Sequence, residues 1–215
     1  NDIEALLVSK AKEGMEVVRL KGGDPFIFGR GGEEAEACRR AGVPFEVVPG
    51  VTSATAVPAY AGIPLTHREH SSLVTFMTAR PGPDRTLDDY DWNSIAGLGG
   101  TLVFLMAATA LENIVSRLTS AGMAASTPAA LVRWGTLPLQ QRITGTLGDI
   151  SALAAKARIR PPVVVVVGGV ASLADDLAWY EELPLFGRRV VVTRARHQAA
   201  AMVTALDGID ESVVE

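Results

Sequence analysis

The residues best suited to chemistry in this sequence are glycines crowded into a short stretch near its start. Gly22 and Gly23 follow directly on a β-branched run at residues 17–20, and Asp24 with the next proline then forces a turn. A second glycine cluster at residues 29–32 leads into acids suited to the first turn of a helix. Such a loop exposes main-chain N–H and C=O groups, so the pattern indicates a site where a small ligand contacts the backbone.

The spacing of these glycines leaves two interpretations open. It matches neither G-x-G-x-x-G nor G-x-x-x-x-G-K-[ST], so the usual dinucleotide and P-loop motifs do not apply. A plain glycine-rich turn and a ligand loop are equally compatible with the spacing. Position favours the ligand loop, because ligands of open α/β sheets bind at the carboxyl ends of strands.

A regular succession of strands and helices must position this loop. Strand-like runs begin at an even interval that suits a strand followed by a crossover helix, near Val17, Phe45, Leu73, Thr101 and Ala129. Helices are predicted over residues 2–13, 33–40, 54–61, 149–157 and 172–182. The sequence therefore predicts an α/β protein.

The later strands predict a mixed sheet. Residues 140–146 alternate in type and are predicted to pair antiparallel, next to a strand at residues 130–134. Val163–Val167 consists of valine alone, which predicts a central strand covered on both faces.

Composition excludes several classes of protein. The 215 residues carry a net charge of −4 and no conspicuous basic tract, which argues against a nucleic-acid surface. No apolar run reaches membrane-spanning length, and Cys38 is the only cysteine, so we expect a reducing compartment, the cytoplasm, and neither disulfides nor a cysteine-based zinc site. His67 and His70 lie three residues apart with no third ligand nearby, so no metal is predicted.

Three long motifs carry a resemblance to a known family. They are LKGGDPFIFGRGGEE at residues 20–34, VVPGVTSA at residues 47–54 and YAGIPLTHR at residues 60–68. On these motifs the chain resembles the tetrapyrrole methylases, which use S-adenosylmethionine (SAM). The similarity continues more loosely to about Glu182.

The resemblance implies two α/β/α domains with the cofactor cleft between them. The first would be mostly parallel and incomplete, and the second would contain the mixed sheet. We expect the first domain over residues 1–67, the second over residues 68–183, and a linker with a new strand–helix unit over residues 184–215. This last piece resembles the opening of a uroporphyrinogen-III synthase, which indicates a fusion boundary.

The resemblance also implies which residues bind SAM. Those that match the family's cofactor motifs are Gly22, Gly23, Asp24, Ile27, Thr52, Ser53, Met106 and Gly135. A structural role stays open for several of them. Asp24 can cap its own turn, and Thr52 and Ser53 can cap the helix that follows. Met106 can equally be a core residue.

The activity implied is C-methylation of uroporphyrinogen III at C-2 and C-7, giving precorrin-2 on the route to sirohaem and cobalamin. This acceptor carries eight carboxylates, for which arginine is the natural partner, and Arg30 and Arg68 are the candidates. The family's proton-transfer residues have no counterpart here, so no catalytic residue is assigned. A homodimer is implied by analogy. Two alternatives stay open: a methylase of the same fold acting on a later corrin intermediate or on RNA, and a non-catalytic remnant.

Overall fold

The structure is a computed structural model that describes residues 2–193 and 195–207. Its contacts divide the chain after Ser53 into two compact units. This division lies upstream of the boundary expected from the sequence at residues 67/68, and the three-part division remains a prediction. The helices are α1 (Asp2–Lys12), α2 (Gly31–Arg40), α3 (Ser53–Tyr60), α4 (Trp92–Leu98), α5 (Leu111–Ser120), α6 (Ile150–Lys156) and α7 (Arg196–Asp207).

The first unit contains helices α1 and α2 joined and followed by irregular backbone. No strand occurs among its described residues, 2–53, so the strands predicted at residues 17–20 and 45–48 are wrong. Val18, Leu20 and Val48 are exposed by 82%, 84% and 80%. A β-branched run becomes a strand only where a neighbouring backbone pairs with it, and neither run has such a partner here.

The second unit is built on one five-stranded sheet in the order β1-β2-β5-β3-β4. Its strands are β1 (Val74–Thr78), β2 (Thr101–Leu105), β3 (Pro128–Arg133), β4 (Gln141–Thr146) and β5 (Val163–Val167). Strands β1 and β2 are parallel, whereas β5 is antiparallel to both β2 and β3, and β4 is antiparallel to β3. The predicted mixed sheet and the predicted antiparallel pairing of β4 are therefore confirmed.

The central position of β5 follows from its five valines. All five are buried, and alternate residues pack into different layers because a strand presents successive side chains to opposite faces. Val165 packs in a layer with Phe104 and Ile114, and Val166 packs in the other layer, which includes Val57 of α3. The prediction of a strand covered on both faces is confirmed.

The sheet topology brings three strand ends to one edge. Because β2 and β3 are both antiparallel to β5, they run parallel to each other and to β1. Leu105 and Arg133, the last residues of β2 and β3, lie opposite Val164 and Val163 at the start of β5. The turns that follow β1, β2 and β3 therefore leave the sheet at the same edge.

The helix predicted over residues 172–182 is wrong. The chain instead forms a 3₁₀ turn at Gly169–Leu173 and a series of turns, with another 3₁₀ turn earlier at Leu87–Asp89. Tyr180 is buried between the rings of Tyr60 and Phe186, at 4.8 Å and 5.3 Å between ring centroids. Such tertiary contacts override a helical sequence pattern.

Part of the expected linker and synthase-like segment, Arg194 and residues 208–215, lies outside the described residues. In the part of the chain that the structure describes, no helix is long and apolar enough to cross a membrane.

Candidate functional site

Asp24 holds two glycine-rich turns of the first unit together. Its Oδ1 accepts a hydrogen bond from the Phe26 N–H at 2.8 Å, and its Oδ2 accepts one from the Gly50 N–H at 3.1 Å. The first bond caps its own turn, as one interpretation of the sequence expected. The second joins this turn to the one before α3. A carboxylate has further lone pairs, so Asp24 retains the capacity to accept a hydrogen bond from a ligand.

The structure separates glycines needed for packing from glycines with open space. A Cβ added at Gly50 would lie 2.9 Å from the carbonyl carbon of Gly23, and one at Gly29 would lie 2.9 Å from the Asp24 carbonyl oxygen. These neighbours are backbone atoms that cannot move aside cheaply. A Cβ at Gly22, in contrast, would meet no atom within 4 Å. Gly22 therefore has no packing reason to be glycine.

The other candidates of the first unit lie on the same two turns. Gly23 has φ +102°, in the region that favours glycine, and Ile27 lies within the turn that Asp24 caps. Thr52 is buried and Ser53 is exposed as the first residue of α3. The N–H groups of the first helical turn lack intrahelical partners, which suits both the capping and the ligand interpretation.

The basic side chain next to Gly22 is already paired. Lys21 Nζ lies 2.7 Å from Glu34 Oε2, and Arg19 Nε lies 3.2 Å from Oε1 of the same carboxylate. Burial by itself would raise the pKa of Glu34, but hydrogen bonds from Lys21 and Arg19 outweigh it and hold the pKa below its ordinary value. These ion pairs join helix α2 to residues 19–21, directly before Gly22.

Met106 and Gly135 occupy the strand ends at the common edge of the sheet. Met106 follows β2 with φ +57° and is 44% exposed, so it is not the core residue that one interpretation allowed. Gly135 follows β3, between Trp134 at φ +48° and Thr136 at φ +71°. Left-handed conformations are costly for residues other than glycine and concentrate at functional sites.

Gly135 also has a packing role that the sequence does not reveal. A Cβ added there would lie 2.6 Å from Cγ2 and 2.8 Å from Cβ of Val57, on α3. Glycine therefore allows helix α3 to approach the turn after β3.

Two residues that sequence reasoning missed hold this turn in place. Gln140 Oε1 accepts a hydrogen bond from the Thr136 N–H at 2.9 Å, and the Tyr180 hydroxyl donates to the Thr136 carbonyl oxygen at 3.1 Å. Both side chains are buried, at 5% and 2% exposure. In the sequence, the one signal for Gln140 was its place at the start of the predicted strand over residues 140–146, and this gave no indication of its partners.

The candidate substrate arginines are on the surface. Arg30, at φ +60°, lies 3.5 Å from Glu4 Oε1 through Nη2 and 3.4 Å from Glu33 Oε1 through Nε. Arg68 is exposed in the second unit. The rings of His67 and His70 lie 5.0 Å apart between centroids and are tilted by 46°, and His67 Nδ1 accepts a hydrogen bond from the Glu69 N–H. Within residues 2–193 and 195–207, no group of three metal-ligating side chains is found.

We expect Asp24→Asn to lower the stability of the protein in a pH-dependent way. The hydrogen bonds from Phe26 and Gly50 hold the pKa of Asp24 below its ordinary value. A depressed pKa contributes stability above the unfolded-state pKa, and this contribution is lost as the pH falls through the folded-state pKa. The midpoint of thermal unfolding of Asp24→Asn should therefore lie below wild type at pH 7 and converge on it below about pH 4.

The control for this prediction is Asp84→Asn, which changes an exposed aspartate in the loop after β1. Its unfolding midpoint should follow wild type across the same pH range. A constant gap between Asp24→Asn and wild type from pH 7 to about pH 3 would contradict the role of the carboxylate charge.

The described residues define a class of protein: an α/β chain with a mixed sheet, whose ligand-binding candidates lie on glycine-rich turns of the first unit and on the turns after β2 and β3. Comparison with known families identifies the class further. Residues 1–151 match the family model of the Tetrapyrrole (Corrin/Porphyrin) Methylases. The chain belongs to this family, which confirms the resemblance inferred from its motifs.

Two curated relatives and one solved structure show the extent of the similarity. The chain is 49% identical over 176 residues to the "S-adenosyl-L-methionine-dependent uroporphyrinogen III methyltransferase" of Methanosarcina barkeri, covering 82% of this chain and 69% of that protein. It is 41% identical over 216 residues to the "Porphyrin biosynthesis protein HemD" of Ruminiclostridium josui, covering 100% of this chain and 42% of that protein. The crystal structure of uroporphyrin-III C-methyl transferase from Thermus thermophilus with S-adenosylhomocysteine matches with a TM-score of 0.70 and 35% identity, covering 80% of this chain and 74% of that one. The chain thus spans less than half the length of the second relative.

Proposed function

We propose that the protein containing this chain is a SAM-dependent methyltransferase that converts uroporphyrinogen III to precorrin-2 by methylation at C-2 and C-7. The observation that carries this proposal is the 49% identity, over 82% of the chain, to a relative named as an S-adenosyl-L-methionine-dependent uroporphyrinogen III methyltransferase. The motif turns of both units lie within the matched family region. This reaction opens the route to sirohaem and cobalamin.

The turns of the chain are chemically suited to SAM. Gly22 leaves open space beside main-chain groups, so a ligand can approach the backbone there. The proposed contacts are Gly22, Gly23, Asp24, Ile27, Thr52, Ser53, Met106 and Gly135. SAM supplies a methyl group on a positively charged sulfur. The task of the chain's residues is then to orient the donor in line with the acceptor carbon and to hold it there.

Arg30 and Arg68 are our candidates for the carboxylates of uroporphyrinogen III. A net charge of −4 would repel this polyanion, so local guanidinium groups must attract it. The ion pairs of Arg30 with Glu4 and Glu33 are long and exposed, and such pairs contribute little to stability. Arg30 can therefore exchange these partners for a substrate carboxylate at small cost.

Three further features of the whole protein are proposals. Residues 184–215 would begin a fused uroporphyrinogen-III synthase domain, which is supported by the relative that matches this chain along its full length. A homodimer follows by analogy with the family and can be tested by sedimentation velocity. A cytoplasmic location is consistent with the single cysteine and can be tested by cell fractionation.

The experiment that tests the proposed function counts methyl groups. The full-length protein is incubated anaerobically with uroporphyrinogen III and SAM carrying a labelled methyl group, and the product is analysed by mass spectrometry. We expect a product with two labelled methyl groups, and none in a reaction inhibited by excess S-adenosylhomocysteine.

Other outcomes would replace the proposal. Labelling of a later corrin intermediate or of RNA, without labelling of uroporphyrinogen III, would identify a different methylase of the same fold. Absence of S-adenosylhomocysteine binding by calorimetry would identify a non-catalytic remnant.

A further inference from the structure

Side chains bind both backbone polar groups of Thr136, its N–H and its carbonyl oxygen. Its N–H donates to Gln140 Oε1 at 2.9 Å and its carbonyl oxygen accepts from the Tyr180 hydroxyl at 3.1 Å. These partners come from different segments: Gln140 directly precedes β4, and Tyr180 lies in the turns that follow the 3₁₀ segment after β5. The turn after β3 is thus fixed from two directions.

Gln140 uses its whole amide group in a partly buried hydrogen-bond network. Its Nε2 donates to the Tyr60 carbonyl oxygen at 3.1 Å and to Glu181 Oε1 at 2.9 Å. The other oxygen of Glu181 accepts from Arg142 Nε at 3.1 Å. Because both polar atoms of the Gln140 amide are hydrogen-bonded, any shift of this side chain would break more than one hydrogen bond.

The turn needs such support because its backbone is strained. Trp134 and Thr136 both have φ in the left-handed region, which costs free energy for residues with a side chain. Strained residues persist only where the surroundings over-determine them. Gln140 and Tyr180 provide this constraint at the turn that contains Gly135.

We propose that Gln140 and Tyr180 are positioning residues that hold the Gly135–Thr136 turn in its SAM-binding conformation. The inference rests on the proposed function, in which Gly135 contacts the cofactor. Neither side chain needs to touch SAM. Both act through the Thr136 peptide, so their loss should weaken cofactor binding more than it weakens the fold.

The first test is Tyr180→Phe, which removes only the hydroxyl and keeps the ring packed against Tyr60 and Phe186. In the full-length protein we expect the Kd for S-adenosylhomocysteine, measured by calorimetry, to rise about fivefold, as for the loss of one hydrogen bond. The matched control is Tyr90→Phe, because the Tyr90 hydroxyl likewise donates to a backbone carbonyl oxygen, that of Thr78, at 3.0 Å. We expect the control to lower the unfolding temperature similarly but to leave this Kd unchanged.

The second test is Gln140→Leu, with the neighbouring exposed residue changed in Gln141→Leu as its control. We expect the Kd for S-adenosylhomocysteine to rise at least about tenfold in Gln140→Leu, since several hydrogen bonds are lost, and less than about twofold in the control. The double change Gln140→Glu with Glu181→Gln restores an acceptor for the Thr136 N–H without placing two carboxylates together. It still loses the bond from residue 140 to the Tyr60 carbonyl oxygen, so it should recover part of the affinity lost in Gln140→Leu.

The outcomes separate this inference from the function on which it rests. If wild-type protein binds S-adenosylhomocysteine and both Tyr180→Phe and Gln140→Leu bind it equally well, the positioning role is overturned while the proposed function stands. If affinity falls equally in Tyr90→Phe, the effect belongs to stability and the inference is also overturned. If wild-type protein does not bind the probe, the proposed function fails, and the inference with it.

Discussion

Gly135→Ala is expected to destabilise the protein by about 1–3 kcal/mol, the usual cost of inserting a methyl group into a packed site. The new Cβ would lie 2.6 Å from Cγ2 of Val57, so helix α3 or the turn after β3 must move. Because Val57 belongs to one of the two core layers of the second unit, the loss should appear as a lower urea midpoint. Movement of the turn should also raise the Kd for S-adenosylhomocysteine by about tenfold or more.

The cause of this destabilisation can be checked by truncating Val57, the side chain that the new Cβ would meet. Val57→Ala removes both methyl groups next to Gly135, although the Cβ of residue 57 stays 2.8 Å from the new atom. The double variant should therefore recover part of the loss, with a favourable coupling of about 1 kcal/mol. Gly97→Ala is the control, because its Cβ would meet nothing within 4 Å and alanine favours helix α4. Simple additivity of Gly135→Ala and Val57→Ala would contradict the proposed contact.

The strands of the second unit could be predicted because each of them pairs with another strand of the same unit. Val163–Val167 pairs on both sides within the described sheet, so a run of valine produced the strand it predicts. The alternation in Gln141–Thr146 likewise matches a half-buried edge strand beside β3. Local pattern and tertiary environment agree at these elements.

Prediction from the sequence failed where contacts with distant segments of the chain decide the local structure. Residues 17–20 and 45–48 have the composition of strands, but a strand exists only where its N–H and C=O groups are paired. Residues 172–182 have a helical pattern, yet the bond from Trp179 Nε1 to the Ala59 carbonyl oxygen, at 3.0 Å, and the burial of Tyr180 favour turns. Neither contact can be found from neighbouring residues in the sequence.

The candidate site, too, was predicted in some respects and not in others. The sequence identified glycine turns, but it could not distinguish Gly22, which has open space, from Gly50 and Gly135, which are packed against other atoms. It allowed Asp24 a capping role without indicating that Gly50 would be the second partner. These distinctions depend on which distant segments pack against each glycine. A glycine has no side chain whose type would indicate such a contact.

Gly22→Val is expected to abolish most SAM binding without changing the stability of the fold. A Cβ at Gly22 would meet no atom within 4 Å and its φ is not in the left-handed region, so valine fits without strain. If SAM contacts the backbone there, the side chain occupies the cofactor's place and removes its main-chain hydrogen bonds. We expect the Kd for S-adenosylhomocysteine to rise about 10- to 100-fold. The free energy of unfolding should stay within about 0.5 kcal/mol of wild type.

Gly22 gives a sharper test than its neighbour, and the same region supplies the control. Gly23→Val should also weaken binding, but its φ of +102° strains any side chain, so lost affinity there would mix with lost stability. Gly32→Val is the matched control, because a Cβ at the second residue of α2 also meets nothing within 4 Å. Calorimetry on the full-length protein should find the control binding as wild type does. Wild-type affinity in a folded Gly22→Val would show that the cofactor does not contact the backbone at Gly22.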